Sequence, residues 1–138
     1  MSVAPLLDTH VWLGWMDHDE RLGAATLDGL AALPPNQRPY LSAISLWEAA
    51  MLVELGRISL ARPLHEWLAD ATHPGVVRLV PITVAIAAGV ASLPPTFHRD
   101  PADRIIVASC QVLKAPIVTR DRLITRSRLV SQWRPEPL

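Results

Sequence analysis

Five carboxylates stand at points where an acid can do more than face solvent: Asp8, Glu48, Asp100, Asp103 and Asp121. Asp8 ends the apolar run 3–7, and Asp121 follows the apolar segment 116–119. Glu48 and Asp103 each fall near the start of a predicted helix. Acids at strand ends and helix starts can converge on one edge of an α/β sheet, where their mutual repulsion raises pKa values unless cations neutralise them. Hard oxygen ligands of this kind suit Mg²⁺ or Mn²⁺, which keep several waters and bridge to phosphate groups. The chemistry implied is phosphodiester hydrolysis, with a cation activating water and stabilising charge on the phosphate oxygens.

Each acid also has a plain structural explanation. Ser45-Leu46-Trp47-Glu48 is a capping-box pattern, in which Glu48 would bond back to the N–H of Ser45. Asp100-Pro101-Ala102-Asp103 reads as an N-cap, a first-turn proline and a first-turn acid. Asp121 and Asp8 could cap the segments that follow them. Taken singly, Glu48 and Asp100 favour the capping role; taken jointly, Asp8, Glu48, Asp103 and Asp121 favour a site.

The elements that would position them are legible from hydrophobic runs and breakers. Strands are expected at 3–7, 40–41, 76–82 and 116–119, between helices at 20–33, 44–55, from Pro63 to about 71, 83–93 and 101–114. Gly56 supplies a helix stop, and most of the thirteen prolines fall between elements. Short apolar strands alternating with helices imply an α/β fold, a parallel sheet covered on both faces. Ligands bind such sheets beyond the carboxyl ends of the strands, where Asp8 and Asp121 lie.

With 138 residues, half of them hydrophobic, residues 1–138 make one domain with a sizeable core. The single cysteine, Cys110, excludes an internal disulfide and a cysteine-rich zinc site and is expected in the core. No run approaches the roughly 18 apolar residues of a membrane span, and Asp8 arrives too early for a signal peptide, so a soluble, cytoplasmic protein is expected. The formal charge is zero, yet twelve of the thirteen basic residues are arginine, five of them from Arg120 onward. Setting aside the five acids leaves eight acids against thirteen bases, the surplus a phosphate-backbone binder needs. His65-Glu66 begins like a zinc-protease motif, but Ala69 stands where the second histidine would be. His10 and His98 flank the acids, for proton transfer or simply for packing. Trp12, Trp15, Trp47 and Trp67 lie on helical stripes, as core residues or partly as an interface.

The segments Asp8-Thr9-His10-Val11-Trp12, Ser45-Leu46-Trp47-Glu48, His98-Arg99-Asp100-Pro101-Ala102-Asp103-Arg104-Ile105-Ile106-Val107-Ala108 and Val118-Thr119-Arg120-Asp121 occur in the order seen in PIN-domain ribonucleases. More narrowly, the chain resembles VapC toxins of type II toxin–antitoxin systems. The resemblance implies a three-layer α/β/α fold with a short central parallel sheet, and an endoribonuclease using Mg²⁺ or Mn²⁺. Asp8, Glu48, Asp103 and Asp121 would be the metal ligands, Asp100 either a fifth ligand or a helix cap, and Thr119 a hydroxyl that orients a carboxylate or a metal-bound water. Arg99, Arg104 and Arg120 would meet substrate phosphate, or Arg99 and Arg104 would pair with Asp100 and Asp103. The partners implied are an RNA substrate such as tRNA or ribosomal RNA, a cognate antitoxin and a second copy of the chain. Two other readings stay open: a non-catalytic nucleic-acid-binding module holding its ligand with the arginine-rich tail, and a small-molecule phosphatase. The second is weakened because the chain has no Gly-rich phosphate loop and no Asp-x-Asp after the first strand.

Overall fold

The computed structural model describes residues 3–135. Four short strands, β1 (Leu6–Leu7), β2 (Tyr40–Ser42), β3 (Arg78–Val80) and β4 (Ile117–Val118), form one parallel sheet in the order β3-β2-β1-β4. Leu6 pairs with Tyr40 on one side and Ile117 on the other, and Leu7 with Leu41 and Val118. The chain builds outward from β1 through β2 to β3, then returns to lay β4 against the other side of β1. The strand order therefore reverses between β1 and β4, which is where α/β sheets open a binding crevice.

Among the described residues, seven helices cover the sheet: α1 (Thr9–Met16), α2 (Ala24–Ala31), α3 (Ala43–Glu54), α4 (Leu64–Ala71), α5 (Val84–Ala91), α6 (Pro101–Leu113) and α7 (Arg122–Ser127). Because side chains alternate along a strand, Leu6 and Leu7 feed different cores. Leu7, Leu41 and Val118 pack with Val11, Trp12, Leu30, Ala49 and Ala71, so α1 to α4 close one face. Leu6 and Ile117 pack with Ile106, Val107, Cys110 and Ile124, so α6 and α7 close the other, and α5 rests on α6. This is the three-layer arrangement expected, with Cys110 in the core.

Trp12 anchors the first core. It is fully buried, its Nε1 donates to the Ala71 carbonyl at 3.0 Å, and the Trp67 ring meets it edge-on with centroids 5.3 Å apart. Trp47, by contrast, is 52% exposed and belongs to neither core.

The expected helix at 20–33 is divided. A 3₁₀ turn, Glu20–Leu22, ends at Gly23, whose φ of +90° is open to glycine, and α2 starts anew at Ala24. The strands are also shorter than the apolar runs that announce them, since only the central residues find ladder partners. Among the described residues, no helix is long and apolar enough to cross a membrane.

Candidate active site

The reversal point of the sheet is acidic. Asp8 follows β1 directly, and its N–H donates to the Val118 carbonyl at 3.0 Å, tying it to β4. Its backbone occupies the N-cap position of α1, but its carboxylate makes no capping hydrogen bond. Thr119, just past β4, donates its hydroxyl to Asp8 Oδ2 at 2.6 Å and accepts from the Asp121 N–H at 3.0 Å. Asp8 is 4% exposed, and burial raises its pKa against the opposing pull of the Thr119 hydrogen bond.

Glu48 reaches the same edge from α3. The N-cap of α3 is Ser42, whose Oγ accepts from the Ile44 N–H, so the capping box expected at Ser45 does not form. Ser45 is instead fully buried within the helix, with its Oγ 2.7 Å from Thr9 Oγ1. Thr9 Oγ1 also donates to Glu48 Oε1 at 2.5 Å, so one hydroxyl from α1 holds two residues one helical turn apart on α3. Burial, above all, raises the Glu48 pKa, with the Asp8 and Asp100 charges adding to it.

Asp100 does cap α6, accepting from the Ala102 and Asp103 N–H groups at 3.0 and 3.2 Å. Asp103, in the first turn of that helix, carries the largest perturbation of any carboxylate here. Burial and then the charges of Asp8, Asp100, Asp121 and Glu48 push its pKa up to about 8. Asp121 caps α7, accepting from the Leu123 N–H at 2.8 Å.

Asp8, Glu48, Asp100, Asp103 and Asp121 all line one cleft of about 990 Å³. His10, Arg21, Arg62 and Arg120 line it too, with Arg21 paired to Asp19 at 2.9 Å and Arg62 paired to Asp70. Arg99 and Arg104 do not line this cleft. The Arg104 guanidinium donates to the carbonyls of Phe97, His98 and Val90, and so clamps the loop before α6. Among the described residues, the ligand atoms that come within 4.8 Å of one another belong to His98, Asp103 and Asp121.

The sequence marks Ser45 only as a helix cap and gives Thr9 no role of its own. A signal was present: Ser45 and Glu48, three apart, share one face of α3, and Thr9 adjoins Asp8.

Comparison with known proteins agrees with this geometry. The PIN domain family matches residues 6–127. The chain is 39% identical over 134 residues to Ribonuclease VapC22 of Mycobacterium tuberculosis (strain ATCC 25618 / H37Rv), covering 96% of this chain and 95% of that protein. With its acids gathered at the reversal point of a parallel sheet and that match running through all of them, the chain belongs to the PIN-domain family and is VapC-like within it.

Proposed function

We propose that this protein is an endoribonuclease, the toxin of a type II toxin–antitoxin pair, which hydrolyses RNA phosphodiester bonds at the Asp8–Glu48–Asp103–Asp121 edge with the help of Mg²⁺ or Mn²⁺. The observation that carries the reading is the convergence of Asp8, Glu48, Asp100, Asp103 and Asp121 on one cleft, where burial and the neighbouring acids push the Asp103 pKa up to about 8. Burying acids together in this way is costly unless a cation relieves it. The carboxylate oxygens suit a hard divalent ion, and beside them His98 Nε2, shielded from solvent and 3.3 Å from Asp103 Oδ2, makes no hydrogen bond. A cation held by Asp8, Glu48, Asp103 and Asp121 would supply Lewis-acid activation of water and neutralise charge on the phosphate.

The chain's own residues do the rest. Thr119 fixes Asp8 Oδ2, and Thr9 fixes Glu48 Oε1, which leaves Glu48 Oε2 to accept a proton from the attacking water. Asp100 is occupied as a cap through Oδ1, and its charge adds to the field on Asp103. Arg120 gives an otherwise acidic cleft a guanidinium for a phosphate backbone, Arg21 and Arg62 being paired with Asp19 and Asp70.

Exposed apolar residues support the partners of this reading. In α5, wholly apolar from Val84 to Ala91, only Ile86 is buried, while Val84 is 88% exposed and neighbouring Ile82 46%. Such a face suits a second copy of the chain. Trp47, exposed beside Glu48, suits an antitoxin segment. The substrate class that fits is folded RNA such as tRNA or ribosomal RNA.

The test is cleavage of total RNA by antitoxin-free protein with Mg²⁺ or Mn²⁺, with EDTA, and with Asp8→Asn. Discrete fragments lost on chelation and in the variant support the reading. RNA binding without cleavage under every condition would replace it with the binding-module reading.

A further inference from the structure

His98 precedes the helix that carries Asp103, and its imidazole turns back toward that carboxylate. Nε2 lies 3.3 Å from Asp103 Oδ2, is shielded from solvent, and makes no hydrogen bond. The backbone that carries the ring is tied to α6, and the ring has an aromatic neighbour. Phe97 meets it edge-on with centroids 4.6 Å apart, and Arg104 donates to the carbonyls of both Phe97 and His98. An Nε2 that faces a carboxylate oxygen without hydrogen bonding to it is left for a group that both atoms can bind.

Geometry identifies that partner. One ligand atom each from His98, Asp103 and Asp121 lies within 4.8 Å of the other two. Octahedral ligands at about 2.1 Å from an ion stand roughly 3 Å apart when cis and about 4.2 Å when trans. Atoms that already lie within 4.8 Å of one another are near the spacing that a shared ion requires. We propose that His98 Nε2 is a nitrogen ligand of this site, beside Asp103 and Asp121, and that it tilts the site toward Mn²⁺ and away from Mg²⁺. This rests on the reading of the acidic edge as a cation site. Imidazole is a common ligand of transition ions and a poor one for Mg²⁺, which favours oxygen and retains its waters.

Electron spin-echo modulation on Mn²⁺ added to the full-length, tag-free, EDTA-stripped protein tests the assignment directly. The wild type is expected to show the ¹⁴N modulation of a coordinated imidazole. His10→Ala keeps the signal, because His10 belongs to the cleft but not to the triad. His98→Ala and His98→Gln lose it, and their Mn²⁺ affinity, read by the free-ion spin signal, falls about 10-fold or more. Their Mg²⁺ affinity, read by competition against Mn²⁺, changes far less. Mn²⁺ bound to the wild type without nitrogen modulation overturns the proposal and leaves the carboxylate site standing, as does modulation lost in His10→Ala but kept in His98→Ala. No Mn²⁺ binding at all overturns both. The wild-type spectrum decides even if a His98 variant fails to fold.

Discussion

The hydroxyl of Thr119 lies 2.6 Å from Asp8 Oδ2 and accepts the Asp121 N–H at 3.0 Å, linking two acids that are more than a hundred residues apart in the chain. It joins the carboxyl ends of β1 and β4 at the point where the strand order reverses. Its hydrogen bond lowers the pKa that burial raises in Asp8, and so keeps this carboxylate closer to its ionised, ligating form. Thr119→Val removes the donor and the acceptor together. The cation concentration needed for half-maximal RNA cleavage should rise about 10- to 100-fold, as when a group that orients a ligand is lost. Thr119→Ser should restore most of it.

The same logic applies to Thr9, which bonds Glu48 Oε1 at 2.5 Å and contacts Ser45 at 2.7 Å. Thr9→Val keeps the shape but leaves Ser45 and Glu48 without this hydroxyl in a buried setting, at a cost of about 1–3 kcal/mol. Thermal melting should fall accordingly, and cleavage should fall further than the melting shift explains, because Glu48 is no longer held. Measuring kcat at a temperature well below the melt separates the two effects.

Asp103 makes stability depend on pH. Its folded pKa is about 8, against an ordinary value of 3.8. The stabilisation from a raised pKa is fully present below the unfolded value and is lost as pH rises toward the folded one. Metal-free protein should therefore melt at progressively lower temperature from pH 5 to pH 8. Asp103→Asn removes a charge from the cluster and should flatten that slope. Discounted for the solvent that reaches this edge, the gain at pH 8 is about 1–2 kcal/mol, or roughly 3–8 °C. Saturating Mn²⁺ should reverse the wild-type trend, since a cation binds the ionised carboxylates and binds them better as pH rises. Melts with and without EDTA across this range check both statements.

The acids were legible in the sequence because each stands beside a break in an apolar run, and such breaks are local features. Asp8 and Asp121 follow buried strand residues, and Asp100-Pro101 marks the start of α6 by cap and proline alone. What stayed hidden depends on contacts between distant segments. The Ser45–Glu48 spacing fits a capping box, yet β2 ends at Ser42 and the helix begins one residue later, so Ser42 takes the cap and Ser45 is carried inside. Nothing local shows that Thr9 will meet Glu48, thirty-nine residues on. The continuous helix expected over 20–33 fails at Gly23 because its backbone turns to positive φ, which glycine permits but does not announce.

Arg104 and Arg120 separate two uses of arginine that the sequence could not distinguish. The Arg104 guanidinium spends its donors on the Phe97, His98 and Val90 carbonyls, with distances of 3.2 to 3.4 Å. Arg120 is exposed and lines the acidic cleft. Arg104→Met should therefore lower the melting point by an amount matching about 1–3 kcal/mol, while the salt dependence of RNA binding stays unchanged. Arg120→Met should leave the melting point alone, raise KM, and reduce the slope of log affinity against log salt by about 0.7, the value of one lost contact to single-stranded phosphate. Binding measured on Asp8→Asn background, where cleavage cannot consume the RNA, gives the slopes cleanly. A changed slope in Arg104→Met with an unchanged melt would move that residue from the scaffold to the RNA surface.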